Sequence, residues 1–553
     1  MSTGKEPQPP RDRVLGDDPN PPVSAMRRIS IEELNTPEAR VGSVRGPGKR
    51  TAGANQGTAA GAAKRRAPAE TGQVGVSATG KPVVPARANP VALSKLSRLL
   101  QSDAPPTQAF SIVDRLVGSP YANPKVNTSA HDASARKTLE FALDLAETMF
   151  RYGAGALEVE TSIIASTAAL GLSNVDVDIT NQSINLNYSP PDTVPYALLR
   201  VVRSWTNNYA GLALVHQLVS DIVGGGVTRQ QSVDRLRGIT RNPKPFPRWI
   251  VAGAGGGFAA LFVLFIGGSW QGALIAFASS LLVAQIAKYG GRWHVPEFFS
   301  TAASSFVVTA LAILFYALDV PISPAIVVSG GILLLLPSAR FVSAVQDAIN
   351  GFPVTAAGRL FSATLVYASI LSGIMAALVL SELLGAPAVN VLGIDKISYP
   401  GWILVLLVVC AVILGAITEQ SAHKLLLPTG AVALLGYLIM LGAQALGAGD
   451  RLAPAVAATF IGMAARWVAL RMGAPQLVIA VPAIVFLLPG LMIFRAMYGI
   501  GLNPEDMTGG MIDMFNAFLI ILAIAGGVVF GDTIARPFTR GHGSNERKNI
   551  RRR

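Results

Sequence analysis

The run of 39 residues from Trp249 to Ala287 contains no Asp, Glu, Lys or Arg. As a single α-helix it would be about 58 Å long, roughly twice the thickness of the hydrocarbon core of a bilayer. The chain must therefore fold back inside this run, and Gly267-Gly268-Ser269 supplies suitable turn residues. A segment of this kind predicts an integral membrane protein.

The apolar character continues to the end of 249–532, whereas 1–248 carries most of the ordinary polar sequence. We predict a polytopic α-helical membrane protein with about ten transmembrane helices. The spans are expected near 249–267, 270–288, 298–318, 321–337, 356–384, 401–418, 425–447, 452–471, 475–494 and 511–531.

Two stretches of the apolar region resemble each other. One ends in Leu-Leu-Pro337-Ser338 and the other in Leu-Leu-Pro489-Gly490, and the two prolines lie 152 residues apart. Five predicted spans separate the copies, and an odd number of spans inverts the second copy in the membrane. The pattern therefore predicts two inverted five-helix repeats, 249–384 and 401–532, with a solute site where their broken helices meet.

Basic residues predict the orientation of the spans. With the N-terminal region inside, the outer connections contain only Lys396, Arg451 and Arg495. The inner connections contain Lys288, Arg292, Arg340, Arg359, Lys424, Arg471 and the arginines of the C-terminal tail. We therefore expect a multi-pass plasma-membrane protein whose two termini are both cytoplasmic.

Three regions flank the spans. Residues 1–130 are rich in Pro, Gly and Ala without periodicity, which predicts a disordered tail. We expect no signal peptide, because the N-terminal residues lack the apolar core that signal peptides contain. Residues 135–245 are expected to form a small cytoplasmic α+β domain, and 533–553 a basic cytoplasmic tail. In the domain we predict strands at 175–179, 183–188 and 196–205 between helical stripes.

Several kinds of site are not indicated. Cys410 is the only cysteine and lies in an apolar run, so neither a disulfide nor a cysteine metal site is expected. The residues contain no nucleotide-binding loop, no metal-ligand motif and no nucleophile motif. We thus predict no catalytic residue, no metal and no cofactor. The net charge of +13 is attributed to cytoplasmic flanks rather than to nucleic-acid binding.

The broken helices supply the candidate substrate-binding residues: Pro337, Ser338, Arg340, Pro489 and Gly490. Proline removes a helical hydrogen bond and frees a carbonyl for an ammonium group, while helix N-termini and arginines can bind a carboxylate. A plain packing kink is the structural alternative.

Ionisable residues in or beside apolar spans are functional candidates. Asp347, Arg359 and Asp513 are proposed for proton coupling or ion pairing, with Asp347 first, although the arginines could equally serve to set topology. Glu419 and His423 follow the sixth predicted span, where a lone loop histidine is usually solvated.

The stretch Phe141–Glu160, with its Met-Phe-Arg-Tyr-Gly-Ala-Gly core, precedes two short strands and then Arg241-Asn-Pro-Lys-Pro-Phe-Pro. This order, with the two proline-ended spans and the Gln346-Asp347 to Gly358-Arg359 stretch, resembles the actinobacterial threonine/serine exporter family. The resemblance covers roughly 135–535. It implies a cytoplasmic domain joined to two five-span units, and export of small hydroxy amino acids driven by protons.

One position departs from the expected pattern, since Ser338 stands where the second copy has Gly490. Serine adopts positive φ less readily than glycine, so we expect the two half-sites to differ. Two alternatives stay open: export of other small metabolites such as dicarboxylates, and a membrane-anchored enzyme with its chemistry in 135–245. Whether the unit is a homo-oligomer also stays open.

Overall fold

The structure is a computed structural model that describes residues 132–189, 195–242, 244–387, 389, 396–502 and 507–539. The predicted tail 1–130 and residues 540–553 of the basic tail lie outside the described residues.

A helical and sheet-containing region precedes the first long apolar helix. Its elements are α1 (Asp132–Arg151), α2 (Ala156–Ala169), β1 (Val175–Thr180), β2 (Ser183–Tyr188), β3 (Tyr196–Val201), α3 (Tyr209–Val223) and α4 (Arg229–Arg241). The antiparallel sheet has the order β1-β2-β3. Alternate side chains such as Val175, Ile179, Ile184 and Leu186 are buried, as the period of two requires.

The third strand is shorter than predicted. It ends at Val201, which pairs with Ser183, the first residue of β2, so the residues beyond have no strand to pair with. The N–H of Thr206 instead donates to the carbonyl of Arg151 at 3.0 Å. The prediction of a strand to Trp205 was therefore wrong at its end.

The apolar region consists of two series of helices. The first contains α5 (Arg248–Phe265), α6 (Trp270–Arg292), α7 (Glu297–Ala317), α8 (Pro324–Ile332), α9 (Ser338–Ile349) and α10 (Pro353–Leu383). The second contains α11 (Gly401–Thr418), α12 (His423–Ala445), α13 (Gly449–Met472), α14 (Leu477–Ile484), α15 (Gly490–Leu502) and α16 (Met507–Thr539). In each series three long helices are followed by two short ones and then by the longest helix.

The chain is a polytopic helical membrane protein. In the described part, eight helices are long and apolar enough to cross a bilayer, and two further spans are bent pairs. The bend is 53° between α8 and α9 and 51° between α14 and α15. The expected spans 321–337 and 475–494 were too short at their C-terminal ends, because the chain continues as a helix beyond each proline.

The two breaks have the same backbone geometry. Each is preceded by a 3₁₀ turn, Leu333–Leu335 or Val485–Leu487, and by an extended leucine, as expected for a residue before proline. The N–H of Ser338 donates to the carbonyl of Leu336 at 2.8 Å, and Gly490 donates to Leu488 at 2.9 Å. An i to i+2 bond of this kind, with Pro337 at φ −80° and ψ 54°, is an inverse γ-turn.

The duplication extends through both series. Each of the six helices of the first series begins 152 to 154 residues before its counterpart in the second. The same connectivity of three helices, a broken pair and a long final helix thus occurs twice. The likeness of the two leucine-rich strings is therefore part of a longer correspondence between the two series.

Gly490 has a different role from the one expected. Neither Ser338 nor Gly490 is among the described residues with positive φ. A Cβ on Gly490 would instead lie 3.0 Å from the carbonyl oxygen of Ser329 in α8. The glycine lets the second broken helix approach the backbone of the first, and the expectation based on φ was wrong.

Two glycines of α16 provide a matched test of close helix packing. A Cβ on Gly531 would collide with the backbone carbonyl of Thr459 in α13, whereas nothing lies within 4 Å of a Cβ on Gly526. We expect Gly531→Ala to destabilise the protein by about 1–3 kcal/mol, as overpacking does. Thermal unfolding in detergent should show a lower midpoint for Gly531→Ala alone. Equal midpoints for Gly531→Ala and Gly526→Ala would contradict this packing.

Candidate functional site

Asp347 of α9 joins the α+β domain to the membrane helices. Its side chain is completely buried, and Oδ1 accepts the N–H of Ala156 at 2.8 Å. Because Ala156 is the first residue of α2, the carboxylate binds one of the free N–H groups at the positive end of that helix. Oδ2 lies 2.9 Å from Nη1 of Arg359.

Arg359 of α10, the partner of this carboxylate, also contacts the α+β domain. Its Nη2 donates to the carbonyl of Ala154 at 2.9 Å. The guanidinium carbon lies 4.6 Å from the ring centre of Phe150 and 5.3 Å from that of Trp205, which places the cation over two aromatic faces. The buried charge therefore has an anion, a carbonyl and two rings as partners.

The loop between α1 and α2 can reach these groups because Gly153, two residues after the end of α1, has φ +95°, a conformation that other residues adopt at a cost. The Gly-Ala-Gly segment then carries Ala154 and Ala156 directly to Arg359 and Asp347. The sequence signal for this contact is the pair of glycines between two helical stripes.

The hairpin of the sheet makes a second contact with α10. The hydroxyl of Thr355 donates to the carbonyl of Ile179 at 2.9 Å and accepts the N–H of Asn181 at 3.0 Å. A Cβ on Gly358 would lie 2.6 Å from Oδ1 of Asn181, so a larger residue there would displace the Asn181 side chain. The turn Asn181-Gln182 joins β1 to β2.

The loop between α11 and α12 is the third contact. The first N–H groups of α3, those of Tyr209 and Ala210, donate to the carbonyls of Glu419 and Gln420 at 3.2 and 2.9 Å. The side-chain amide of Gln420 also exchanges two hydrogen bonds with the backbone of Phe246, at 3.1 and 3.0 Å. Both series of membrane helices are thereby attached to one domain.

A cavity of about 290 Å³ lies between these contacts. Three arginines, Arg151, Arg340 and Arg359, and the acid Glu419 contribute to its wall, together with hydroxyl, amide and aromatic groups. Arg340 lies only three residues after Pro337, so the cavity extends to the broken helix of the first series.

The charges of the cavity are unequally paired. Nη2 of Arg340 lies 2.6 Å from Oε1 of Glu297, and Nη1 donates to the hydroxyl of Ser362 at 3.3 Å. Among the described residues, the Glu419 side chain has neither a hydrogen bond nor an ion pair within 4 Å. Burial raises the pKa of Glu419 to about 7, and the charge of Lys244 acts in the opposite direction.

The structure brings some of the predicted site residues together. Arg340 and Arg359 contribute to one cavity, and Asp347 lies against Arg359. Pro489 and Gly490 lie elsewhere, where the second break meets α8. Asp513 is half-buried on the first two turns of α16, and no described residue forms an ion pair with it. Pro337 and Ser338 form the break that leads into the cavity.

Two cavity residues were not selected from the sequence. In the sequence Arg151 resembles an ordinary exposed charge at a helix end, although it directly precedes the Tyr-Gly-Ala-Gly turn. Glu419 was recognised only as a charge after a span, because sequence does not reveal that α3 and Lys244 surround it. The described residues also contain no cluster of three His, Cys, Asp or Glu side chains that could hold a metal ion.

Comparisons with known proteins identify related chains. Residues 140–381 match the family model described as putative threonine/serine exporter, and 404–534 match a second model described as threonine/serine exporter. A probable threonine/serine exporter of Mycobacterium tuberculosis is 30% identical over 435 residues, covering 77% of this chain and 82% of the relative. No solved structure matches.

Two further relatives have different coverage. The threonine/serine exporter of Corynebacterium glutamicum is 28% identical over 452 residues, covering 78% of this chain and 89% of that protein. A probable succinate transporter subunit of Escherichia coli, YjjP, is 28% identical over 144 residues, which is 26% of this chain and 56% of the subunit. All of these proteins are named as transporters, not as enzymes.

The Asp347–Arg359 pair predicts a large loss of stability when one partner is removed. Asp347→Ala leaves a buried guanidinium without its anion and the first turn of α2 without its acceptor, so we expect about 3–5 kcal/mol of destabilisation. Asp144→Ala is the control, because Asp144 pairs with Arg200 at the surface and should contribute about 1 kcal/mol or less. Thermal unfolding of both variants checks this, and similar midpoints would refute it.

Proposed function

We propose that the chain, which belongs to the threonine/serine exporter family, carries threonine and serine out of the cytoplasm through the cavity beside Arg340 and Glu419. The observation that carries this proposal is the chemistry of that cavity. It combines cations for a carboxylate, an acid for an ammonium group and polar groups for a hydroxyl in one small space.

The size of the cavity favours a small solute. Pockets for drug-sized ligands measure roughly 300–1,000 Å³, and this one is at the lower end. Arg151 has no ion pair among the described residues, and the ion pair of Arg340 with Glu297 is exposed to solvent, so these two arginines are placed to receive the carboxylate. Arg359 is held instead by the buried Asp347. Ser343 and Asn181, on the same wall, offer hydrogen bonds to the side-chain hydroxyl.

Export proceeds in this proposal by alternating access about the two broken helices. Three observations support an inverted pair: the constant spacing of the two series, the matching breaks, and the packing of α5 against α11. Gly255 faces Thr418, whereas Gly257 and Phe258 face Leu414 and Gly415, so these counterpart helices run in opposite directions. The contact of Gly490, at the second break, with α8 of the first broken pair supports a coupling between the two.

The proposed orientation places the α+β domain and both termini in the cytoplasm. The excess of basic residues on the domain side of the spans supports it. The cavity would then be the cytoplasmic mouth of the exporter. We further propose that the proton gradient drives transport, because no nucleotide-binding loop occurs in the sequence and a titratable acid lies in the mouth.

A dicarboxylate is the second candidate substrate. Three arginines against one acid favour an anion, and the relative named as a probable succinate transporter subunit gives the same indication. Threonine and serine rank first because the relatives that share most of this chain are named for those amino acids.

Transport by the purified protein in proteoliposomes tests the substrate and the role of Arg340. We expect uptake of labelled threonine to depend on a pH gradient and to be competed by serine but not by succinate. Arg340→Gln should reduce transport at least tenfold, mostly through KM, because the carboxylate loses a cation. Arg235→Gln, at an exposed ion pair of α4, is the control. Competition by succinate alone would select the dicarboxylate instead.

The break at Pro489 should affect movement rather than binding. Pro489→Ala restores a backbone N–H and favours a continuous helix, so we expect a transport rate reduced about tenfold with threonine binding unchanged. Pro428→Ala, at a proline inside the unbroken helix α12, is the control. Normal transport by Pro489→Ala would remove the breaks from the mechanism.

A further inference from the structure

The acid of the cavity, Glu419, is placed unlike any other carboxylate of the described residues. It caps the C-terminus of α11, and its own carbonyl is fixed by the N–H of Tyr209 at 3.2 Å. The backbone is therefore held while the carboxylate contributes to the cavity wall without a protein partner. The buried aspartates Asp347 and Asp532, in contrast, are both engaged by arginines.

Charged and titratable groups approach Glu419 from every neighbouring element. From the domain comes Tyr209 of α3, whose own pKa is raised by burial and by Glu419. From the segment before α5 come Lys244 and Arg248, and burial together with Arg248 lowers the pKa of Lys244. His423 begins α12, and its ring packs at a tilt against that of Phe246, with the ring centres 4.6 Å apart. Across the cavity lie the arginines Arg151, Arg340 and Arg359.

Lys244 does not neutralise the acid directly. Its ammonium group donates to the hydroxyl of Thr206 at 2.8 Å and to the carbonyl of Asn207 at 2.7 Å, and it makes no ion pair with Glu419 within 4 Å. It influences the carboxylate only through its field. The position next to Glu419 is thus open to a cation supplied by a ligand.

We propose, as an extension of the exporter function above, that Glu419 binds the ammonium group of the substrate and releases its own proton when the substrate binds. The exchange is balanced: the carboxyl proton passes to water, and the ammonium nitrogen keeps its three protons and takes its place. No covalent bond of the substrate changes.

The electrostatics of the cavity make the exchange favourable. An ionised carboxylate in a partly buried site lacks hydration, which holds the proton on Glu419 in the empty cavity near neutral pH. An ammonium group at hydrogen-bond distance stabilises the ionised form and lowers the pKa of Glu419. Binding therefore releases a proton at pH values between the pKa of Glu419 in the complex and about 7. At pH values far above 7, Glu419 is already ionised and binding releases no proton.

The same exchange selects the substrate class. A dicarboxylate would place its second carboxylate beside Glu419, which must then keep its proton. A zwitterion is favoured when the acid is ionised. The arginines recognise what the two classes share, and Glu419 recognises what distinguishes them.

Calorimetric titration of the purified full chain in two buffers of different ionisation enthalpy measures the protons released. At pH 6.5 the wild-type protein should release more than half a proton per threonine bound, and at pH 8.5 almost none. The ligand 3-hydroxybutanoate, which is threonine without its amino group, should release none at either pH.

Substitution separates this role from the others. Glu419→Gln should bind threonine at least tenfold more weakly, bind 3-hydroxybutanoate as before and release no proton. Glu419→Asp, which keeps the acid, should retain proton release. Lys244→Gln should shift the pH midpoint of release upward, because it removes a charge that lowers the pKa of Glu419.

The outcomes distinguish the two proposals. If the wild-type protein neither binds nor transports threonine, the exporter proposal fails, and this inference fails with it. If it transports threonine while Glu419→Gln still releases protons, or while 3-hydroxybutanoate releases as many protons from the wild type, only the role of Glu419 is refuted.

Discussion

A buried ion pair, Asp347 with Arg359, is central to the attachment of the α+β domain, beside the contacts at Thr355 and Gln420. Both side chains of the pair are almost free of solvent, so each needs the other. The additional hydrogen bonds to Ala156 and Ala154 turn an expensive pair of buried charges into a specific joint between α2, α9 and α10. The cavity exists because this joint, and the separate one at Gln420, hold the domain against both series of membrane helices.

Sequence patterns predicted the spans and their breaks well because each is a local property. A charge-free run, a leucine followed by proline, and a two-residue hairpin turn all act within a few residues. The boundaries beyond Pro337 and Pro489 were missed because an amphipathic helix after a proline resembles a loop in hydropathy. The end of β3 depended on where its partner β2 begins, which its own residues do not indicate.

The candidate site was only partly predictable for a different reason. Arg340, Asp347 and Arg359 lie close together in sequence and in the structure. Glu419 becomes important only through α3 and Lys244, which are about 200 residues away along the chain. Asp513 looked similar in sequence, yet it is not among the residues that line the cavity. Charge in an apolar context identifies candidates, and long-range packing decides among them.

The close approach of Gly490 to Ser329 has a mechanical consequence. The second break touches α8 through backbone and apolar groups, so a change in its bend would displace the first broken helix as well. This contact carries no charge, and its stiffness should be indifferent to salt and acidity. The α+β domain, in contrast, is attached by an ion pair and by hydrogen bonds. The contact between the broken helices is thus steric and the attachment of the domain is electrostatic, so changes in salt and pH should affect the second and not the first.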